Sequence, residues 1–126
     1  MNETLYKNTK AKIEASRSGQ VKHSYMAYWH KIDEDTIALK HHNTDIIEIH
    51  ENNRCGSGTG WELTIYNGGY FSVTTKKKIN SVINPTYSIF QRDFKWYLNR
   101  TATGECTPYF DGCGWDEYDA LAPLRV

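Results

Sequence analysis

The segment at residues 67–80, Asn-Gly-Gly-Tyr-Phe-Ser-Val-Thr-Thr-Lys-Lys-Lys-Ile-Asn, constrains the fold of this chain most strongly. Its Asn-Gly-Gly start is a strong turn signal, because glycine accepts backbone angles that other residues avoid. We predict a strand over 70–73 after this turn. Thr74 or Thr75 then caps a short helix near 75–83, since threonine side chains accept hydrogen bonds from the first helical N–H groups.

The composition indicates a folded, aromatic-rich domain. Only 39% of the 126 residues are hydrophobic and the mean hydropathy is −0.69, yet the chain has nine Tyr, four Trp and four Phe. Disordered chains contain few aromatic residues, so we expect one domain with an aromatic core or an aromatic binding face. The fold class that we predict is α+β: a small, mainly antiparallel β-sheet domain with one short helix and a polar N-terminal segment.

The domain divides into three parts along the chain. Residues 1–23 are polar and form a short helix, a flexible arm or an oligomerisation strand. Residues 24–110 form the β-rich core, and residues 111–126 form a loop-like tail. We expect the tail to dock through Trp115 and Tyr118, either across the sheet or on another subunit.

Alternating hydrophobicity predicts the strands of the core and a glycine-rich loop over 51–60. The region 87–98 reads as one long strand, unless a bulge near 92–93 breaks its alternation. The residues predicted on the core face of this long strand are Phe90, Phe94, Trp96 and Leu98. The other predicted strands are Ser24–Lys31, Thr36–Lys40, Ile46–His50, Trp61–Tyr66, Tyr70–Val73 and Cys106–Phe110.

The charges balance over the whole chain but separate along it. Lys and Arg total 15 and so do Asp and Glu, so net charge does not steer the protein to nucleic acid or to a membrane. Basic residues collect at 7–23 and at 76–78. Acidic residues collect at 33–35, 45–51 and 111–119. Any preference for an anion must therefore come from a local patch.

The cysteines and the N-terminus indicate a cytosolic protein. Cys55, Cys106 and Cys113 are an odd number, and no signal peptide is recognisable in the polar start of the chain. No apolar run approaches the roughly 20 residues of a membrane span. We expect reduced thiols and no membrane association.

The first candidate binding site is the helix start at Thr74, Thr75 and Lys76. A helix N-terminus offers backbone N–H groups and partial positive charge, and threonine hydroxyls with a lysine complete a phosphate cradle. The alternative is ordinary N-capping with solvated lysines. Three lysines in the first turn oppose the helix dipole, and a bound anion would relieve that conflict.

The second candidate site is the aromatic and basic segment that contains Phe90, Arg92, Tyr97 and Arg100. Its aromatic rings could stack on a nucleotide base while its arginines hold phosphate. The alternative is a core strand with a charged solvent face.

Other sites have weaker support. The run at 55–60, Cys-Gly-Ser-Gly-Thr-Gly, lacks the Gly-Lys-Ser/Thr ending of a phosphate loop and reads as a flexible loop. The histidines and cysteines lack the spacing of a zinc site, with His41 and His42 on opposite faces if they lie in a strand. No catalytic motif is present. We expect no metal, no cofactor and no enzymatic activity.

Ordered motifs over residues 36–113 resemble a group of small proteins encoded by tailed phages and prophages. The shared pattern has a Gly-Gly-aromatic turn, Thr-Thr-Lys-x-x-Ile-Asn, Phe-Gln-x-x-Phe-x-Trp-Tyr and a final Asp-Gly. The longer polar N-terminus and the glycine-rich run at 55–60 depart from it. The resemblance implies a phage accessory protein in the host cytoplasm, similar in setting to anti-Thoeris proteins that sequester defence signals.

These observations lead to three functional hypotheses. The first is a non-enzymatic binding protein that inhibits host defence by sequestering a nucleotide-derived signal, of the cyclic nucleotide or cyclic ADP-ribose type. The second is an anti-CRISPR-like inhibitor that binds a host defence protein through exposed aromatic residues and the acidic tail. The third is a single-stranded nucleic-acid binder, against which the zero net charge argues. We also expect a homo-oligomer.

Overall fold

The structure of the protein, a computed structural model, describes residues 2–54 and 58–116. Within these ranges it forms a six-stranded sheet, a three-stranded sheet and two helices, and every pair of neighbouring strands is antiparallel. This architecture confirms the predicted α+β class. The elements are α1 (Asn2–Ala15), β1 (Gln20–Ser24), β2 (Ala27–Asp33), β3 (Thr36–His41), β4 (Thr44–Arg54), β5 (Gly58–Ile65), α2 (Val73–Ile83), β6 (Tyr87–Arg92), β7 (Lys95–Arg100), β8 (Cys106–Pro108) and β9 (Cys113–Asp116).

One face of the six-stranded sheet, which has the order β1-β2-β3-β4-β5-β9, carries the core. Leu63 and Trp61 of β5 point to this face. Leu63 is fully buried, and the Trp61 ring lies under α1, with the Lys7 ammonium 5.4 Å from the ring centre. Trp115 of β9 pairs with Leu63 and stacks on Tyr87 of the small sheet at a ring distance of 3.6 Å. Helix α1 and the small sheet therefore lie over this face. The opposite face carries partly exposed polar residues, among them His30, Glu48, His50 and Glu62.

Helix α1 forms most of the polar N-terminal segment 1–23, which the sequence left open between a helix, an arm and a strand. Strand β1 begins within this segment, at Gln20, and was not predicted. Its buried stripe, Asn2, Tyr6, Thr9 and Ile13, has the spacing of one helix face. Asn2 donates a 3.2 Å hydrogen bond to the carbonyl oxygen of Trp61. Because two of the four stripe residues are polar, the hydrophobic periodicity in the sequence is weak although the face is buried.

Helix α2 begins earlier than the sequence indicates, and two details of the prediction are wrong. Ser72, not Thr74 or Thr75, is the N-cap, and its Oγ accepts a 3.1 Å hydrogen bond from the Thr75 N–H. The predicted strand over 70–73 is absent from this described segment, because the turn that starts at Asn67 leads directly into the cap. The Tyr70 N–H donates to the Asn67 carbonyl oxygen at 3.0 Å, which closes that turn.

Asn80 fixes helix α2 to the edge of the small sheet. Its Nδ2 donates to the Ile89 carbonyl oxygen at 2.9 Å, and its Oδ1 accepts from the Ile89 N–H at 2.7 Å. The side chain thereby satisfies both backbone groups that β6 exposes at this point of its edge. Ile79 and Ile83 of the same helix enter the shared core.

The region predicted as one long strand is instead the hairpin β6–β7. Asp93 and Phe94 both have positive φ, 52° and 64°, and form a two-residue turn between paired Arg92 and Lys95. The turn reverses the chain, so Ile89 shares the core face with residues of β7. The predicted core face is therefore right for Trp96 and Leu98 and wrong for Phe90, which is half-buried, and for Phe94, which is 95% exposed.

Two loop predictions also need correction. The predicted loop over 51–60 is strand through Arg54 and again from Gly58, because β4 and β5 pair along their length. The predicted loop-like tail contains β9, whose pairing with β5 buries Trp115 completely. Residues 55–57 and the tail beyond residue 116, including Tyr118, lie outside the described residues.

Candidate functional site

A cavity of about 420 Å³ lies between the β3–β4 turn, the turn that starts at Asn67 and the first turn of α2. Its volume falls in the range of small-molecule sites. Its walls combine two imidazoles, two amides, several hydroxyls and one phenol ring. The lining residues are His41, His42, Asn43, Thr44, Ile46, Asn67, Tyr70, Ser72, Thr74 and Thr75.

The β3–β4 turn supplies the histidine side of the cavity. His41 is the last residue of β3 and is only 7% exposed. His42 leaves the strand with φ 55°, and its N–H donates to the Met26 carbonyl oxygen at 3.1 Å. The two imidazole rings therefore lie 4.4 Å apart, although consecutive residues of a strand would point to opposite faces. The turn predicted between Lys40 and Asp45 was the only indication in the sequence that the two histidines could lie side by side.

Burial favours the neutral form of His41. Desolvation lowers the pKa of His41, and the neighbouring His42 and Lys78 lower it further. A neutral imidazole has one donor nitrogen and one acceptor nitrogen, so this side chain can form a hydrogen bond with either a donor or an acceptor group of a ligand.

Close approach of two turns forms the opposite wall. Gly68 has φ 63°, and a Cβ at this position would lie 3.1 Å from Thr44 Cγ2. Only glycine combines this backbone conformation with so little space. The turn that starts at Asn67 is therefore held against the beginning of β4, which brings the Asn67 side chain to the cavity.

Asn67 contributes the most informative polar group. The residue is 2% exposed, its N–H donates to Asp111 Oδ1 at 2.9 Å, and its Oδ1 accepts from the Gly69 N–H at 2.8 Å. Its Nδ2 has no hydrogen-bond partner among the residues that the structure describes. An unpaired buried donor costs about 1–3 kcal/mol, so an acceptor on a ligand would recover stability at this point.

Asp111 and Tyr109 stabilise the turn that starts at Asn67 through hydrogen bonds. The Tyr109 hydroxyl donates to Asp111 Oδ1 at 2.6 Å. Burial, followed by the Asp111 carboxylate, raises the pKa of Tyr109 far above its ordinary value, so the phenol keeps its proton and remains a donor. The Asp111 carboxylate thus accepts from both Tyr109 and the Asn67 backbone.

The first turn of α2 supplies the donors of the predicted anion site. The Lys76 N–H makes the first i→i−4 bond of the helix, to the Ser72 carbonyl oxygen at 3.1 Å. The N–H groups of Val73 and Thr74 precede it and have no acceptor within the helix. Of the predicted residues, Thr74 and Thr75 line the cavity, with Thr75 buried and Thr74 exposed.

The lysines lie beside the cavity. Lys76 is half-buried and does not line it. Lys78 donates to Ser24 Oγ at 2.7 Å and to the Tyr25 carbonyl oxygen at 2.6 Å, which ties α2 to the β1–β2 turn. Lys77 and Lys78 line a shallow neighbouring groove, and Thr74 lines both this groove and the cavity.

The second predicted site is only partly assembled. Phe90 and Tyr97 stack with ring centres 5.5 Å apart, and the Arg92 guanidinium lies 5.8 Å above Phe90. Arg100 lies apart from them, because it is 8% exposed and packs 5.5 Å from the Tyr87 ring in the core. None of the four predicted residues lines the cavity at α2.

Within residues 2–54 and 58–116, no group of three or more His, Cys, Asp or Glu side chains could hold a metal ion. Over the same ranges, no helix is both long and apolar enough to cross a membrane. Within the same ranges, neither Cys106 nor Cys113 forms a disulfide.

Comparison with known proteins identifies a family but no individual curated protein or solved structure that is similar to this chain. No curated protein matches the chain, and no solved structure matches it. The profile of the Kyanoviridae Gp96 protein family matches residues 5–116, which include both candidate sites. The chain therefore belongs to the Kyanoviridae Gp96 protein family, which confirms the phage origin that its ordered motifs predicted.

Proposed function

We propose that this phage protein is a non-enzymatic binding protein that holds a nucleotide-like, phosphate-bearing small molecule in the cavity at the start of α2. One observation carries the proposal. The buried Asn67, whose Nδ2 has no partner among the described residues, is a lining residue of the cavity, beside a helix N-terminus whose first N–H groups have no acceptor within the helix. Two separate sets of unsatisfied donors therefore lie at one cavity, and a phosphorylated ligand with a second acceptor would satisfy both if the Asn67 amide turned toward it.

The walls suit the two halves of a nucleotide. A phosphate at the Val73 and Thr74 N–H groups would gain the helix dipole and charge-assisted hydrogen bonds. The groove that Thr74 shares with Lys77 and Lys78 adds positive charge on that side. On the other side, Tyr70 is 69% exposed and offers a ring surface, as base recognition often requires.

The biological role that we propose is removal of a defence signal from the infected cell. The chain belongs to a phage protein family, and a phage protein that binds a nucleotide-derived signal would lower the free concentration of that signal in the infected cell. Such sequestration is stoichiometric and needs no catalytic group. The host cytoplasm as the site of action and a homo-oligomeric state are parts of the same proposal.

Titration calorimetry tests the binding site. The titrants are cyclic dinucleotides, cyclic trinucleotides, isomers of cyclic ADP-ribose and, as the simplest probe, inorganic phosphate. The informative variant is Thr74→Glu, because a carboxylate in the first helical turn favours the helix but repels an anion. We expect it to weaken binding by at least about tenfold, or about 1.4 kcal/mol.

The matched control for this variant is Thr86→Glu, which makes the same change at an exposed threonine outside the cavity. We expect this control to bind as the wild type does. Equal affinities for the two glutamate variants would contradict the site, and the absence of binding to every titrant would contradict the function.

A second candidate function, binding of single-stranded nucleic acid, is favoured by the Phe90–Tyr97 stack with Arg92 above it. Affinity for a short oligonucleotide would then fall steeply with salt and would be lost in Tyr97→Ala. Binding that persists in Tyr97→Ala would exclude this surface.

A further inference from the structure

A groove of about 370 Å³ lies where the segment after the Asn67 turn meets the β6–β7 hairpin. We call it the aromatic groove, lined by Phe71, Phe94, Lys95, Trp96, Tyr97 and Tyr109 among others. Three of its rings form an edge-to-face cluster, with Phe71–Trp96, Trp96–Tyr109 and Phe71–Tyr109 ring distances of 5.2, 5.3 and 6.0 Å. The lining is separate from that of the cavity at α2.

The aromatic groove has a fixed floor and an exposed rim. Trp96 is 3% exposed and anchors the floor in the core, whereas Phe71 and Phe94 are 61% and 95% exposed. Exposed aromatic surface on a rigid base costs little conformational entropy when a partner covers it. Aromatic residues are also enriched at protein–protein interfaces.

Phe94 occupies an unfavourable backbone position. Its φ is 64° and that of Asp93 is 52°, so both turn residues are left-handed, where hairpins usually place Asn-Gly. A bulky residue in this region is strained, and the 95% exposure of Phe94 leaves it little packing to compensate. A contact with another molecule would account for an aromatic ring at this position.

The charges beside the aromatic groove define the chemistry of the partner. Arg92 and Lys95 face each other directly in the β6–β7 register, and like charges in that position repel. Neither of these two cations forms an ion pair within the described part of the chain. Carboxylates on a partner would complement both cations.

We propose that the aromatic groove docks a protein segment that presents an aliphatic or aromatic side chain flanked by Asp or Glu. The apolar side chain would cover Phe71 and Phe94, and the carboxylates would pair with Arg92 and Lys95. Burial of Phe71, whose ring already packs on Trp96 and Tyr109, together with the exposed ring of Phe94 would give a localised hot spot. This surface would let the protein engage a protein partner through residues that do not line the cavity at α2.

Selection from a random peptide display library tests this docking surface. We expect the enriched peptides to carry Asp or Glu beside Leu, Ile, Phe or Trp. Synthetic versions of these peptides, measured by fluorescence polarisation, should bind Phe94→Gly at least about tenfold more weakly than wild type. Phe94→Gly should keep or raise the melting temperature, because glycine adopts positive φ without strain. The double variant Arg92→Glu/Lys95→Glu should also lose these peptides.

Tyr25→Ser is the matched control, because Tyr25 is 79% exposed and lies outside the aromatic groove. It should bind the peptides as wild type does. No enrichment, enrichment of basic peptides, or equal binding by Phe94→Gly would overturn the proposal. Self-association of the wild type that Phe94→Gly abolishes would also overturn it, since the occupant would then be a second copy of this chain.

Discussion

Gly68 and Asn67 show how single residues build the candidate binding cavity. Gly68 lets the turn approach Thr44 closely. The Asn67 N–H donates to Asp111 and its Oδ1 accepts from Gly69, while its Nδ2 has no partner among the described residues. The sequence predicted a turn at this place but could not show that an amide would be buried beside a helix start. That fact depends on Asp111, which is 44 residues away.

The energetic contribution of the close approach at Gly68 can be measured by comparing alanine substitutions at Gly68 and at Gly69. Gly68→Ala should lower the free energy of unfolding by about 2 kcal/mol or more, because the new Cβ meets Thr44 and the left-handed backbone is strained. Gly69→Ala has similar strain at φ 88° but meets nothing within 4 Å, so we expect a loss of only about 1 kcal/mol. Urea denaturation compares the two variants, and equal losses would show that the contact with Thr44 contributes nothing.

At the scale of elements, local signals identified most strands and the second helix. Turn residues and alternation predicted the strands from β2 to β5 within a few residues, because those hairpins are formed by neighbouring segments. The errors concern tertiary contacts and one local turn. The buried face of α1 is half polar, and β9 pairs with β5, which lies 48 to 54 residues earlier in the chain. The β6–β7 turn uses Asp-Phe rather than a recognisable turn pair.

The N-cap of α2 gives a test at this scale. Ser72→Ala should lower the free energy of unfolding by about 1 kcal/mol, because it removes the acceptor of the Thr75 N–H. Thr74→Ala should have little effect on stability, since the exposed Thr74 caps nothing. Chemical denaturation of both variants distinguishes them, and a larger loss in Thr74→Ala would place the cap where the sequence had predicted it.

The β3–β4 turn should make stability depend on pH through His41. Because burial lowers the pKa of His41 in the folded protein, its contribution is complete above the ordinary value of 6.5 and is lost as the pH falls through the lower folded-state pKa. His41→Gln should therefore lose less unfolding free energy than wild type between about pH 7.5 and about pH 5.5. Identical losses in the two proteins would show that His41 is not protonated on unfolding.

At the scale of the whole molecule, one sheet face carries both helices and the small sheet, and the Tyr87–Trp115 stack joins the two sheets. This packing separates the two proposed binding surfaces, with the cavity at the start of α2 and the aromatic groove at the β6–β7 hairpin. Sequence reasoning placed Thr74 and Thr75 correctly at a helix start but could not separate Arg100 from Phe90, because alternation along a single long strand puts these two residues on the same face. That separation follows from the hairpin, which puts Arg100 on the buried face.

Native mass spectrometry of the protein purified from expressing cells tests the central claim most directly. The same spectra are recorded after mixing with the cyclic nucleotide and cyclic ADP-ribose panel, for wild type and for Thr74→Glu. We predict a retained or added nucleotide mass on the wild type that Thr74→Glu lacks. A ligand-free mass from cells, with no uptake of any compound in the panel, would contradict the proposed binding function.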